Sequence, residues 1–81
     1  MKVCVHFFAQ LGDIAKTQMV DVDLADGANV LDLLKILYAK FPALAGHDNS
    51  ILVGVGVEFV DRTYKLNAGD EIAIMPPVQG G

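Results

Sequence analysis

Residues 2–8 alternate. Val3, Val5 and Phe7 fall on one side of an extended chain, and Cys4, His6 and Phe8 on the other, the pattern of a strand. Residues 9–17 carry Gly12-Asp13 and read as a loop with one helical turn. Residues 19–24 again have a period of two, with Val20, Val22 and Leu24 inward and Met19, Asp21 and Asp23 outward. Two such runs predict a hairpin with one wet face. After the Asp26-Gly27 turn the period lengthens: Val30, Leu33, Leu34, Leu37, Tyr38 and Phe41 recur at three- and four-residue spacing, the buried stripe of a helix. Asn29 is placed to cap it and Asp32 to meet its positive end, while Lys35 and Lys40 keep to its polar side. Pro42 stops it near Phe41. Residues 43–50 read as loop, 51–55 as a β-prone run that Gly56 breaks, and 58–60 as a short returning strand. A turn at 67–70 leads into a last strand over 71–75, with Ile72 and Ile74 inward, and Pro76-Pro77 ends it because neither can donate to a ladder.

The predicted order is strand, strand, helix, strand, short strand, strand. One helix covering one sheet is an α+β two-layer fold. A mixed sheet of four to five strands crossed by one main helix between two hairpin-like halves describes the β-grasp, or ubiquitin-like, arrangement. A ferredoxin-like fold needs a second long helix. Val3, Val5, Val20, Val22, Leu33, Leu34, Leu37, Ile72 and Ile74 are the expected common core.

Composition narrows the functions. The 81 residues are enough for a single domain over 1–81, and 53% hydrophobic with 20% charged residues is a folding rather than a disordered mixture. The charge balance, six Lys+Arg against ten Asp+Glu, comes without a basic stripe and argues against nucleic-acid or anionic-membrane partners. No stretch approaches the roughly 20 apolar residues of a membrane span, and the short apolar start lacks a cleavage site, so the expected location is cytoplasmic. Cys4 is the only cysteine, so it has no internal disulfide partner. An iron–sulfur cluster on such a fold would need four. Cys4, His6 and His47 lack metal-ligand spacing, and Gly54-Val55-Gly56 lacks the Lys-Ser/Thr of a phosphate loop. Neither a bound cofactor nor a metal is expected, and the chain is too small to frame a large active-site cleft alone.

The informative segment is Met75-Pro76-Pro77-Val78-Gln79-Gly80-Gly81. Two prolines lead the chain off the sheet in a stiff form. Two glycines, with no side chains, can thread a narrow channel, and a carboxylate at the tip can be adenylated by ATP and then accept a nucleophile. A frayed terminus can also be glycine-rich. With Val5-His6-Phe7-Phe8-Ala9-Gln10 at the start and Ala68-Gly69-Asp70-Glu71-Ile72 before the last strand, the chain resembles the MoaD family, the small sulfur-carrier subunits of molybdopterin synthase. The Phe-Phe-Ala opening and the Pro-Pro-Val-x-Gly-Gly ending are the specific parts. The family's usual Asn in the turn after the third long strand is replaced in Val55-Gly56-Val57. Glycine takes the same positive φ.

The resemblance implies that Gly81 carries the chemistry. A ubiquitin-activating-like adenylyltransferase would use ATP to couple the Gly81 carboxylate to AMP, and a sulfur donor protein would convert it to a thiocarboxylate. The loaded tail, with Pro76, Pro77, Val78 and Gly80 along its insertion path and 76–81 flexible, would enter the large subunit of molybdopterin synthase in a heterotetramer. Sulfur would pass there to cyclic pyranopterin monophosphate to build the molybdopterin dithiolene. The general acid–base groups would belong to the partner, and this chain would not be catalytic alone. A sulfur carrier for thiamin or another pathway, a ubiquitin-like modifier that ends on a substrate lysine, and a binding module with an inert tail are the alternatives. Strand register adds an expectation of its own: Phe8 and Met75 point away from the helix-covered face and, with Phe59, would form an apolar partner surface beside the tail.

Overall fold

The computed structural model describes residues 1–77. Five strands, β1 (Lys2–Phe7), β2 (Met19–Asp23), β3 (Leu52–Val55), β4 (Glu58–Val60) and β5 (Glu71–Met75), form one mixed sheet in the order β2-β1-β5-β3-β4. β1 and β5 run parallel at its centre, and the other pairings are antiparallel. The main helix, α2 (Val30–Lys40), covers one face, accompanied by the short α1 (Gln10–Ala15) and α3 (Pro42–Ala45). The fold is a β-grasp, as expected.

Alternation sorts the strands. Val3, Val5 and Phe7 of β1 meet Ile72 and Ile74 of β5 under the helix, and the register pairs Val5 with Ile72 and Phe7 with Ile74. α2 begins with a capping box: the Asn29 Oδ1 accepts the Asp32 N–H at 2.9 Å, and the Asp32 carboxylate accepts the Asn29 N–H at 3.0 Å. Two donors that the helix itself leaves unmet are thereby satisfied. Val30, Leu33, Leu34 and Leu37 form its buried stripe, and the chain leaves the helix at Phe41, whose ring meets the Phe7 ring edge-on at 5.5 Å.

Three expectations change. Residues 10–15 form a helix that buries Leu11 and Ala15, rather than a loop with one turn. Residues 43–50 are not loop: Pro42 starts α3, which buries Leu44, and a 3₁₀ turn follows at Asp48–Ser50. Pro at the first position of a helix costs nothing, since its missing N–H would have no partner there. Val20 is half-buried rather than inside, because β2 is an edge strand, although it still packs on the core.

Between β4 and β5 the chain is fastened to the helical layer. The Leu31 N–H donates to the Arg62 carbonyl and the Val30 N–H to that of Tyr64. Asp48 accepts from the Tyr38 hydroxyl and from the Arg62 guanidinium, both at 2.6 Å, and Arg62 also donates to the Asp48 carbonyl at 2.7 Å. The Tyr38 and Arg62 bonds hold the Asp48 carboxyl below its ordinary range. A depressed carboxylate pKa stabilises the fold above the unfolded value of about 3.9, and that contribution disappears as pH falls through the lower folded value. Urea denaturation between neutral pH and pH 3 is therefore expected to show an acid loss that Asp48→Asn reduces. Arg62→Ala is expected to cost about 1 kcal/mol at neutral pH, a modest figure because both charges are partly open to solvent. Equal acid loss in Asp48→Asn and the parent would remove Asp48 from the effect.

Candidate apolar docking groove

The sheet has a second face, which carries no helix. Register lays its side chains in rows. Phe59, Gly54 and Ala73 pair across β4, β3 and β5, and the row continues through His6 of β1 to Met19 of β2. Leu52 and Met75 form the next row towards the tail. Phe8 follows β1 at that end, its N–H donating to the Ile74 carbonyl at 3.0 Å. On the far side of the Phe59 row, Cys4 pairs with Asp21 and Glu71. The exposed face is thus apolar where the chain leaves the sheet and acidic at the opposite end.

The apolar end is concave. Phe8, Gly54, Gly56, Val57, Glu58, Phe59, Ala73 and Met75 line a groove of about 230 Å³. Phe8 and Phe59 are 48% and 67% exposed, high values for aromatic rings that could otherwise have been placed in the core. Gly54 leaves room beneath the Met75 side chain: a Cβ there would stand 3.1 Å from the Met75 Cε and 3.4 Å from the Glu58 carbonyl. Gly56 turns the β3–β4 hairpin at φ 61°, the positive-φ conformation expected of a residue standing in for Asn, and sets Phe59 on the same face as Phe8.

The structure therefore brings Phe8, Phe59 and Met75 together around one hollow. Pro76 and Pro77 follow Met75 at once, the first half-buried and the second exposed, so the chain leaves the sheet from the edge of the groove. Val78, Gly80 and Gly81 lie outside the described residues. Gly54, Val57 and Glu58 belong to the groove without having been picked out as site residues. The signal for Gly54 is a glycine inside a β-prone run, which marks a close approach.

Cys4 and His6 sit together on the open face, Sγ 3.6 Å from Nε2. Burial within the sheet pushes the thiol pKa up, and the charges of Asp21 and Glu71 push it further. Among the described residues, no three His, Cys, Asp or Glu side chains gather to hold a metal ion, and no helix is long and apolar enough to cross a membrane.

Comparison with known proteins matches residues 5–81 to the ThiS family. A molybdopterin synthase sulfur carrier subunit from Chlamydomonas reinhardtii is 35% identical over 83 aligned residues that span the whole of both chains. Among solved structures, SAMP1 from Haloferax volcanii superposes with a TM-score of 0.87 at 34% identity, over all of both chains. A chain of the complex between subunits 1 and 2 of the molybdopterin-converting factor from Helicobacter pylori 26695 superposes with a TM-score of 0.70 at 26% identity, again over all of both.

Proposed function

This chain belongs to the ThiS family, and from that premise we propose that it is the sulfur-carrier subunit of a molybdopterin synthase. One observation carries the reading: the groove of Phe8, Phe59 and Met75 opens where Pro76-Pro77 lead the chain off the sheet. A partner that grips the groove receives the tail. The relatives named as sulfur carriers support the chemistry, and the Helicobacter pylori complex supports a second subunit as the partner.

In this reading the Gly81 carboxylate attacks the α-phosphate of ATP on an adenylyltransferase. Pyrophosphate leaves, and a glycyl adenylate is formed. Sulfide released by a donor protein displaces AMP from the acyl carbon, and the tail becomes a thiocarboxylate. The loaded carrier docks on the large subunit through the groove, and the sulfur passes to cyclic pyranopterin monophosphate. Two sulfurs make the dithiolene, so two loaded carriers act per product. The carrier supplies the reactive end and the docking surface, and the large subunit supplies the acid–base groups.

The test is the intact mass of the chain after incubation with an adenylyltransferase, ATP and a sulfide source. Replacement of one terminal oxygen by sulfur is the expected result, and an unchanged mass under conditions that load an authentic carrier would refute it. Phe8→Ala and Met75→Ala are expected to weaken binding to the large subunit, each by more than about 1 kcal/mol if it is an anchor, without lowering the melting temperature. Unchanged affinity in both would remove the groove from the mechanism.

The likeness to SAMP1, small archaeal modifier protein 1, favours a second reading as a protein modifier. Activation would be the same, but the product would be an isopeptide to a substrate lysine, which tryptic mass spectrometry detects as a Gly-Gly remnant.

A further inference from the structure

Phe8 is the point at which the chain leaves β1, and its backbone is held from both sides. Its N–H extends the β1–β5 ladder to the Ile74 carbonyl at 3.0 Å, and its own carbonyl accepts the Leu11 N–H at 3.1 Å. Within three residues the chain passes from the open face to Leu11, which is buried in the core. Ala9 makes that turn at φ 53°, ψ −138°. This is close to the mirror image of the polyproline II conformation. Glycine adopts it freely, and an L-alanine holds it only under strain. Ala9 is exposed, so packing does not require its methyl group, and glycine would make the same backbone bonds without strain.

We propose that Ala9 is a positioning residue for docking, one that presents Phe8 to the partner already ordered. The inference rests on the groove reading given above. An L-alanine at positive φ has few wells open to it. Escape to negative φ would reorient the Phe8–Ala9 peptide, whose carbonyl accepts the Leu11 N–H, and so would break that bond or withdraw Leu11 from the core. Ala9 is therefore confined to one conformation, and Phe8 with it. A glycine opens the whole positive-φ plateau, so the segment around Phe8 can shift while Leu11 stays buried. The partner must then order that segment on docking, and affinity falls by the entropy of doing so.

The experiment compares the full chain with Ala9→Gly, with Ala9→D-Ala made by chemical ligation, and with Phe8→Ala. Thermal midpoint, exchange of the Phe8 amide and affinity for the large subunit are measured for each. Ala9→Gly is expected to be at least as stable as the parent, to exchange the Phe8 amide faster, and to bind roughly threefold to tenfold more weakly. Ala9→D-Ala, for which the observed conformation is relaxed but the same broad positive-φ region is open, is expected to be more stable than the parent and, like Ala9→Gly, to bind more weakly. A gain in stability with a loss of affinity is not the signature of a merely structural residue. If Ala9→Gly binds like the parent while Phe8→Ala does not, this inference is overturned and the groove reading stands. If Phe8→Ala binds like the parent, both fall.

Discussion

A chain lacking Gly81 is expected to accept no sulfur, and to melt where the parent melts. Among the described residues the buried core runs from Val3 to Ile74, so removal of one terminal glycine is expected to leave that packing intact. The chemistry, in contrast, is tied to a distance. Six residues from 76 to 81 reach at most about 20 Å when fully extended. An enzyme that positions the groove residues therefore fixes where the terminal carboxylate can arrive. Deleting Gly81 moves that carboxylate back by about 3.5 Å, and a misplacement of even 1 Å can cost about a hundredfold in rate. Gly81→Ala keeps the length but adds a methyl group where backbone alone passed, and Gly80→Ala does the same one step earlier. Both are expected to impair loading or transfer. Cys4→Ser and His6→Ala are expected to leave transfer largely intact, because neither side chain is assigned a step. The measurement is molybdopterin formed from the pyranopterin precursor by purified large subunit and carrier, after a loading reaction. Product formation by the chain lacking Gly81 at the parent's rate would refute the tail mechanism.

The parts of this protein legible in its sequence are those whose signal repeats. α2 shows three turns of apolar spacing with Asn29 before it and Pro42 after it, and β1 and β5 each alternate over at least five residues. α1 and α3, at six and four residues, are too short to display a helical period. Their burial of Leu11, Ala15 and Leu44 follows from what α2 leaves uncovered on the sheet, which is tertiary information. The groove divides in the same way. Alternation alone puts Phe8 and Met75 outward, but the register of Phe59 has to be carried across the Gly56 turn. Gly54 contributes by lacking a side chain, and its effect is visible only once Met75 is known to lie beside it at 3.1 Å from a would-be Cβ. The Tyr38–Asp48–Arg62 cluster joins residues 14 positions apart at its widest bond, and no local pattern announces it.

Leu37→Ala is expected to destabilise the fold by roughly 2–5 kcal/mol. The side chain is 0% exposed, on the helix that covers the sheet, so truncation loses both its transfer free energy and the contacts around the space it leaves. For a chain of this length the total stability is on the order of 4–12 kcal/mol, so the loss is a large fraction of what is available. Leu31, on the same helix, is 42% exposed and supplies the matched control: Leu31→Ala is expected to cost less than about 0.5 kcal/mol. Urea titration of the two variants separates them, because the midpoint should fall for Leu37→Ala with the slope unchanged. Comparable losses in both would contradict the assignment of the buried face. The consequence for sulfur transfer follows from the layering. The helix packs on one face of the sheet while the proposed docking groove lies on the other, and strand alternation ties the two by placing Ile74 inward and Met75 outward on β5. Leu37→Ala should therefore lower transfer in proportion to the unfolded fraction it creates. At a temperature where that fraction is small, the variant should dock and transfer at close to the parent's rate, whereas Phe8→Ala should transfer poorly from a fully folded chain.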